Sequence, residues 1–157
     1  MLHNGKLYKG WWTDATGTYY LDATDAHRVT GLTAIDGAVY YFNEAGQMQV
    51  GVQTINGATY YFGADGKMQT GFVTIGAGVY YFGADGVMVT GVISDSTGIY
   101  YAGADGVVVA NQVVKVGNAN YLFGADGKLV INQLVQVGDM YYQTNETGVV
   151  VAAAPVQ

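Results

Sequence analysis

Between Gly71 and Thr90 the chain reads GFVTIGAGVYYFGADGVMVT, and this stretch sets out the pattern of the whole molecule. Phe72 to Ile75 is a short apolar run. Gly76-Ala77-Gly78 breaks it, and Val79 to Phe82 follows with β-branched and aromatic residues. Ala84-Asp85-Gly86 is a second break, and Val87 to Thr90 is a third extended piece. Apolar runs of this length, rich in Val, Ile, Tyr and Phe and bounded by Gly and Asp-Gly, predict two strands of a hairpin and an extended tail.

The same pattern returns every 20 or 21 residues. A tyrosine pair marks it at Tyr19-Tyr20, Tyr40-Tyr41, Tyr60-Tyr61, Tyr80-Tyr81 and Tyr100-Tyr101; it weakens to Tyr121-Leu122 and recovers at Tyr141-Tyr142. A fixed period in this range signals stacked supersecondary units, because a lone hairpin is marginal in water and must bury its face on a neighbour. The expected fold is all-β: an elongated β-solenoid of stacked β-hairpin repeats. Residues 1–9 read as a partial repeat, 10–151 as a seven-unit array and 152–157 as a tail. Asn4-Gly5-Lys6-Leu7-Tyr8-Lys9-Gly10 matches Asp65-Gly66-Lys67-Met68-Gln69-Thr70-Gly71, so the chain reads as a fragment of a longer array.

Glycine punctuates each unit. Unit starts carry Gly10, Gly31, Gly51, Gly71 and Gly91, then Asn111 and Asn132. Asn is the residue next most tolerant of left-handed backbone, so the start position is expected to need a positive φ. Strand alternation puts Tyr40, Tyr60 and Tyr80 on one face with Phe42, Phe62 and Phe82, expected to be the interior. Tyr41, Tyr61 and Tyr81 share the other face with Val39, Thr59 and Val79, expected to line a partly exposed groove. The irregular first and last units look like caps.

Composition narrows the function. Charged residues make up 11% and aromatics 13% of the chain, so it is not a disordered segment. The net charge is −6 with six Lys plus Arg, which leaves no basic stripe for nucleic acid. No apolar run approaches the ~20 residues of a membrane span, so membrane insertion is not expected. There are no cysteines, which removes disulfides and thiolate metal sites. No signal peptide is visible, and an export signal would lie upstream of this fragment. Low charge and strand edges leave room for a homodimer through edge or terminal hairpins.

At TINGATYYFGADGKMQTG, residues 54–71, the chain resembles the cell-wall-binding repeat superfamily of Gram-positive surface proteins. That group includes choline-binding modules, glucan-binding domains and the C-terminal repeats of large clostridial toxins. The resemblance runs from about residue 4 to 150. It implies a location outside the cell, on the bacterial surface or wall, and non-covalent attachment to wall polymer or extracellular glycan. It also implies a check for choline boxes, in which aromatic walls hold a quaternary ammonium. One wall is the Trp that follows the unit-start Gly; here that holds only at Gly10-Trp11, and later units have Leu32, Val52, Phe72, Val92, Gln112 and Gln133. The wall before the tyrosine pair is Thr18, Val39, Thr59, Val79, Ile99, Asn120 or Met140. Each missing ring forfeits ~0.5–2 kcal/mol, so repeated choline sites are not expected. Met48, Met68 and Met88 match the family's common Met.

The candidate ligand-binding residues are Trp11, Trp12, Tyr20, Tyr41, Tyr61, Tyr81 and Tyr101. Trp11 and Trp12 are adjacent, so in a strand they face opposite sides. One of them, with Tyr20 and Tyr41, could form a sugar-stacking platform. Plain packing accounts for the same pair. The outer tyrosines read either as a row of weak polymer sites with avidity or as scaffold packing hairpin on hairpin. Asp65, Asp85, Asp105 and Asp126 each precede a turn glycine and read as backbone caps, not as metal ligands or catalytic acids. His3 and His27, with Ser94 and Ser96, form no recognisable triad. No catalytic residue, metal or cofactor is expected. The expected role is non-catalytic anchoring or targeting of a surface or secreted protein. A structural spacer or protein-interaction stalk is the alternative, and the whole protein could be an enzyme or toxin that this fragment only targets.

Overall fold

The structure, a computed structural model, describes Leu2–His3 and Lys6–Gln157. Asn4 and Gly5, which carry part of the partial-repeat match, lie outside the described residues. The strands are β1 (Leu2–His3), β2 (Lys6–Leu7), β3 (Gly10–Asp14), β4 (Gly17–Leu21), β5 (Gly31–Ile35), β6 (Ala38–Phe42), β7 (Gly51–Ile55) and β8 (Ala58–Phe62). They continue with β9 (Gly71–Ile75), β10 (Gly78–Phe82), β11 (Gly91–Asp95), β12 (Gly98–Ala102), β13 (Gln112–Val116), β14 (Ala119–Phe123), β15 (Leu134–Val137), β16 (Met140–Thr144) and β17 (Val150–Pro155). Among the described residues there is no helix. β1-β2, β3-β4, β5-β6, β7-β8, β11-β12, β13-β14 and β15-β16 are antiparallel ladders, β9 pairs with β10, and β17 joins β16. The fold is all-β, built of stacked antiparallel hairpins.

Two-residue turns close the hairpins, as in Ile35↔Ala38 and Ile55↔Ala58. Asp36 and Gly37, and Asn56 and Gly57, all have positive φ, the signature of type I′ turns that suit strand twist. At Ile75 to Gly78 only Gly76 is positive, so Gly78 joins β10 instead of the turn. The unit starts follow the Gly-to-Asn rule: φ is positive at Gly10, Gly31, Gly51, Gly71 and Gly91, and it is 49° at Asn111 and 52° at Asn132.

The chain divides into two compact units, Met1–Gly71 with Phe82–Met88, and Phe72–Tyr81 with Val89–Gln157. In the first, the third extended piece of each repeat is a single bridge and not a strand, as in Phe42↔Met48 and Phe62↔Met68. Consecutive amides there point opposite ways. Met68 N–H donates to Val39 O of the preceding hairpin at 2.8 Å, and Gln69 N–H donates to Tyr61 O of its own. Met48 to Thr18 and Met88 to Thr59 repeat the stitch. The Met side chain then covers the glycine of the next Asp-Gly turn: a Cβ on Gly66 would lie 2.3 Å from Met48 Sδ. In the first repeat Arg28 takes this place, and its guanidinium lies 4.0 Å over the Tyr19 ring. Phe42, Phe62 and Phe82 are buried while Tyr41, Tyr61 and Tyr81 are half-buried, as alternation predicts; of the tyrosines expected inside with the phenylalanines, Tyr40 is buried but Tyr60 and Tyr80 are only half-buried.

In the second unit the same stitch runs from Val108 to Val79 and from Leu129 to Ile99. Ile93, Tyr100 and Ala102 form its core cluster, with Leu122 and Phe123 also buried. The segment expected to be a tail from residue 152 is instead strand. β17 pairs Ala154 with Tyr141, Ala153 with Tyr142 and Ala152 with Gln143, through a bulge at Gln143/Thr144. The physical reason is backbone pairing. The β16 edge needs partners for its N–H and C=O groups, and an alanine run supplies them without side-chain complementarity.

Candidate functional site

Trp11 and Trp12 face opposite sides of β3. Trp12 pairs with Tyr19, meets Tyr8 edge-on at 5.1 Å, and donates its indole N–H to Asp14 Oδ2 at 3.2 Å. Trp11 pairs with Tyr20 and meets that ring at 5.1 Å and 75°, and Tyr40 at 4.8 Å and 69°. The third ring is thus Tyr40 and not the expected Tyr41. In the second unit Phe72 meets Tyr81 at 4.8 Å and 63°, and Tyr100 at 4.6 Å and 59°. The two units hold the same three-ring cluster.

The remaining candidates behave differently. Tyr41 stacks on Phe62 at 6.0 Å, Tyr61 on Phe82 at 6.2 Å, and Tyr101 packs on Phe123 at 6.1 Å. The cross-strand partner explains the split. Tyr41, Tyr61 and Tyr101 face the aliphatic Leu32, Val52 and Val92, so each ring turns to the phenylalanine of the next hairpin. Tyr20 and Tyr81 have an aromatic, Trp11 or Phe72, just after the unit-start glycine and turn to it.

A cation held by two rings lies within about 6 Å of each centroid, which requires a gap between them. Rings whose centroids are 4.6–5.1 Å apart are already in contact, so no cation fits between them. What they leave open is ring surface. Phe72 is 39% exposed and, with Val79, Tyr100, Val108, Gly127 and Asp126, lines a pocket of about 260 Å³. Two aromatic rings in the lining beside Asp126, whose Oδ1 caps the Lys128 amide and leaves Oδ2 as an acceptor, can take a sugar ring face and one hydroxyl. Sequence reading passed over Tyr40, Tyr100, Phe72 and Asp126 as site residues. Their signal was the recurrence of an aromatic after the unit-start glycine at Trp11 and Phe72.

The repeated acids cap turns. Oδ1 of Asp65, Asp85, Asp105 and Asp126 accepts the backbone N–H two residues on at 3.0–3.1 Å. The Lys67 amide holds the Asp65 carboxyl below its usual range. Asp14 is held lower, at about 2, by the Thr16 hydroxyl and then the Thr16 amide. Asp95 is lowered in the same way by Thr97. Asp22, Asp25 and His27 bring ligand atoms within 4.8 Å of one another in the degenerate turn of the first repeat, and could hold a metal ion. Lys9 Nζ donates to the Ala23 and Thr24 carbonyls of that turn, which places a positive charge against a second cation. The Asp25 carboxylate raises the pKa of His27.

A family model described as "Choline-binding repeat" matches residues 49–74, and one described as "Putative cell wall binding repeat" matches residues 30–48 and 70–88. Choline binding protein F from Streptococcus pneumoniae, solved in the presence of a peptidoglycan analogue, is similar at 31% identity and a TM-score of 0.82; the match covers 94% of this chain and 48% of that one. CbpJ from Streptococcus pneumoniae is similar at 26% identity and a TM-score of 0.83, covering 92% and 52%. A multimodular pneumococcal cell wall endolysin from phage Cp-1, complexed with choline, is similar at 28% identity and a TM-score of 0.55, covering 78% and 37%. The chain therefore spans about half the length of the first two structures, and less of the third. No curated protein sequence matches it. With the 20-residue period, the hairpin ladders, the family models and the pneumococcal structures in agreement, the chain belongs to the cell-wall-binding repeat family.

Proposed function

We propose that this chain is a non-catalytic module that holds a surface or secreted protein on cell-wall polymer or extracellular carbohydrate, outside the bacterial cell. The observation that carries this reading is the exposed ring of Phe72 in the lining of a pocket that also holds Tyr100 and Asp126. Trp11, Tyr20, Tyr81 and the outer tyrosines at Tyr41, Tyr61 and Tyr101 would contribute further weak contacts, with Trp12 on the opposite face. Residues 10–151 would act as one array, since sites that are weak singly retain a polymer through multiplicity. The proteins of known structure that resemble the chain support the wall-binding class; the ring contacts leave no room for choline between the rings, and their exposed surface suits sugar faces.

Retention on three resins tests this: immobilised peptidoglycan, dextran and choline. The expected result is retention on a carbohydrate resin, with Phe72→Ala and Trp11→Ala each reducing it. Folded protein that flows through all three would sink the proposal. It would then favour the spacer reading, which the Tyr41–Phe62 and Tyr61–Phe82 stacks support, since they pack hairpin on hairpin. In that reading a homodimer of terminal hairpins would form along the outer edge of β17.

A further inference from the structure

The grooves beside the outer tyrosines are not equivalent. In the first unit Tyr41 lines a groove of about 490 Å³ with Phe42 and Ile55 as apolar walls, and Thr30, Glu44 and Asn56 around it. Tyr41 is half-buried, and the three polar residues are exposed. Among the described residues the side chains of Thr30, Glu44 and Asn56 make no hydrogen bond or ion pair, whereas Asn43 and Asp65 of the same and the next turn are committed to backbone caps. The hydroxyl, carboxylate and amide beside the ring are thus all available to a ligand.

The sequence shows that this set is local. At the Glu44 position four later repeats carry Ala64, Ala84, Ala104 and Ala125. At the Asn56 position the hairpins from β3-β4 to β15-β16 otherwise carry Ala15, Asp36, Gly76, Ser96, Gly117 and Gly138. Glu146 recurs in the last hairpin, but there β17 lies along β16 in place of another hairpin turn. An exposed turn needs only Ala at the Glu44 position to fold, as four repeats show, so Glu44 calls for a reason other than stability.

We infer that the Tyr41 groove is a dedicated subsite for a neutral sugar ring of a cell-wall or extracellular glycan. The ring face would lie against Tyr41 and Ile55, and vicinal hydroxyls would bond Glu44, Asn56 and Thr30. This rests on the carbohydrate-binding reading above and names one site for it. Sugar hydroxyls both donate and accept, which suits a carboxylate acceptor beside an amide and a hydroxyl. A quaternary ammonium has no use for the amide donors and needs a box of rings; here the residue after the unit-start glycine is Leu32 and the pre-pair residue is Val39.

Calorimetric titration of the full chain with isomaltohexaose and with N-acetylated chitotetraose tests the site, beside co-sedimentation with Gram-positive sacculi. Glu44→Ala installs the residue of the neighbouring repeats, and Asn56→Asp installs the residue of the Asp36 turn, so both should fold, which circular dichroism checks. One oligosaccharide is expected to bind the wild type, about tenfold more weakly to either variant, and equally to the Glu146→Ala control. Unchanged binding in Glu44→Ala and Asn56→Asp would overturn the subsite while leaving the module reading intact. Pelleting with sacculi without binding of either oligosaccharide would do the same. Displacement of the oligosaccharide by choline would overturn the neutral-sugar assignment. Absence of both pelleting and oligosaccharide binding would overturn the subsite together with the reading it rests on.

Discussion

Gly57 and Gly66 lie nine residues apart on backbone of nearly the same strain, φ +83° and φ +79°, yet a side chain meets very different surroundings at each. A Cβ on Gly57 has nothing within 4 Å. On Gly66 it would sit 2.3 Å from Met48 Sδ, 2.8 Å from Cε and 3.1 Å from Cγ. Comfortable contact is about 3.5–4.0 Å, so the thioether must leave its place. Left-handed backbone costs an alanine about 1–2 kcal/mol, and the stiffer unfolded chain returns about 0.4–1. Gly57→Ala should therefore destabilise by about 1 kcal/mol. Gly66→Ala adds an overpacking cost of about 1–3 kcal/mol, for a total of about 2–4. In a Met48→Ala background the added cost should vanish, leaving Gly66→Ala close to Gly57→Ala. Urea unfolding read by tryptophan fluorescence is the assay, because Trp11 packs on the Ile35–Tyr40–Phe42 cluster that Met48 also touches. Circular dichroism on the same samples would check that one transition is being followed. Equal effects of the two alanines, or a difference that survives Met48→Ala, would refute the claim that the family's recurrent Met locks one repeat onto the next.

Asn111→Gly should leave the melting temperature nearly unchanged, while Asn111→Val should cost about 1–2 kcal/mol, because Asn111 holds a φ of 49°; thermal unfolding distinguishes them. The folded pKa of Asp14 is depressed from 3.8 to about 2, so its contribution is present above pH 3.8 and is lost as pH falls through about 2. Asp22, Asp25, Asp65 and Asp95 shift the same way, and thermal midpoints should fall between about pH 4 and pH 2. His27 runs oppositely: its raised pKa gives a contribution complete below pH 6.5 and lost as pH rises through the folded value. An NMR titration should show the His27 pKa above 6.5 and returned toward it in Asp25→Asn. Deleting residues 150–157 should uncover the β16 edge and produce concentration-dependent association on size-exclusion chromatography.

The hairpin unit was legible because each device that builds it is local. Asn56-Gly57 selects its own turn, the start position accepts Asn where it accepts Gly, and Phe62 against Tyr61 follows from strand alternation alone. What was not legible depends on how neighbouring repeats meet. Alternation assigns Tyr40 to the inner face but does not say that Trp11 of the preceding hairpin closes on it in preference to Tyr41. The covering of Gly66 by Met48 is likewise a contact between repeats, visible in sequence only as two residues that recur together. β17 was missed for a different reason: Ala152 to Pro155 has the composition of a tail, and the free edge of β16 decides its conformation. The Tyr41 groove joins residues from three segments, and none of them stands out in the period.

Co-sedimentation with purified Gram-positive sacculi at neutral pH tests the central claim most directly. The wild-type chain should pellet with the walls and stay there in high salt, since its contacts are aromatic and its charge is low; a Trp11→Ala/Phe72→Ala double variant that remains folded should move to the supernatant. A folded wild-type chain that stays in the supernatant would contradict the account.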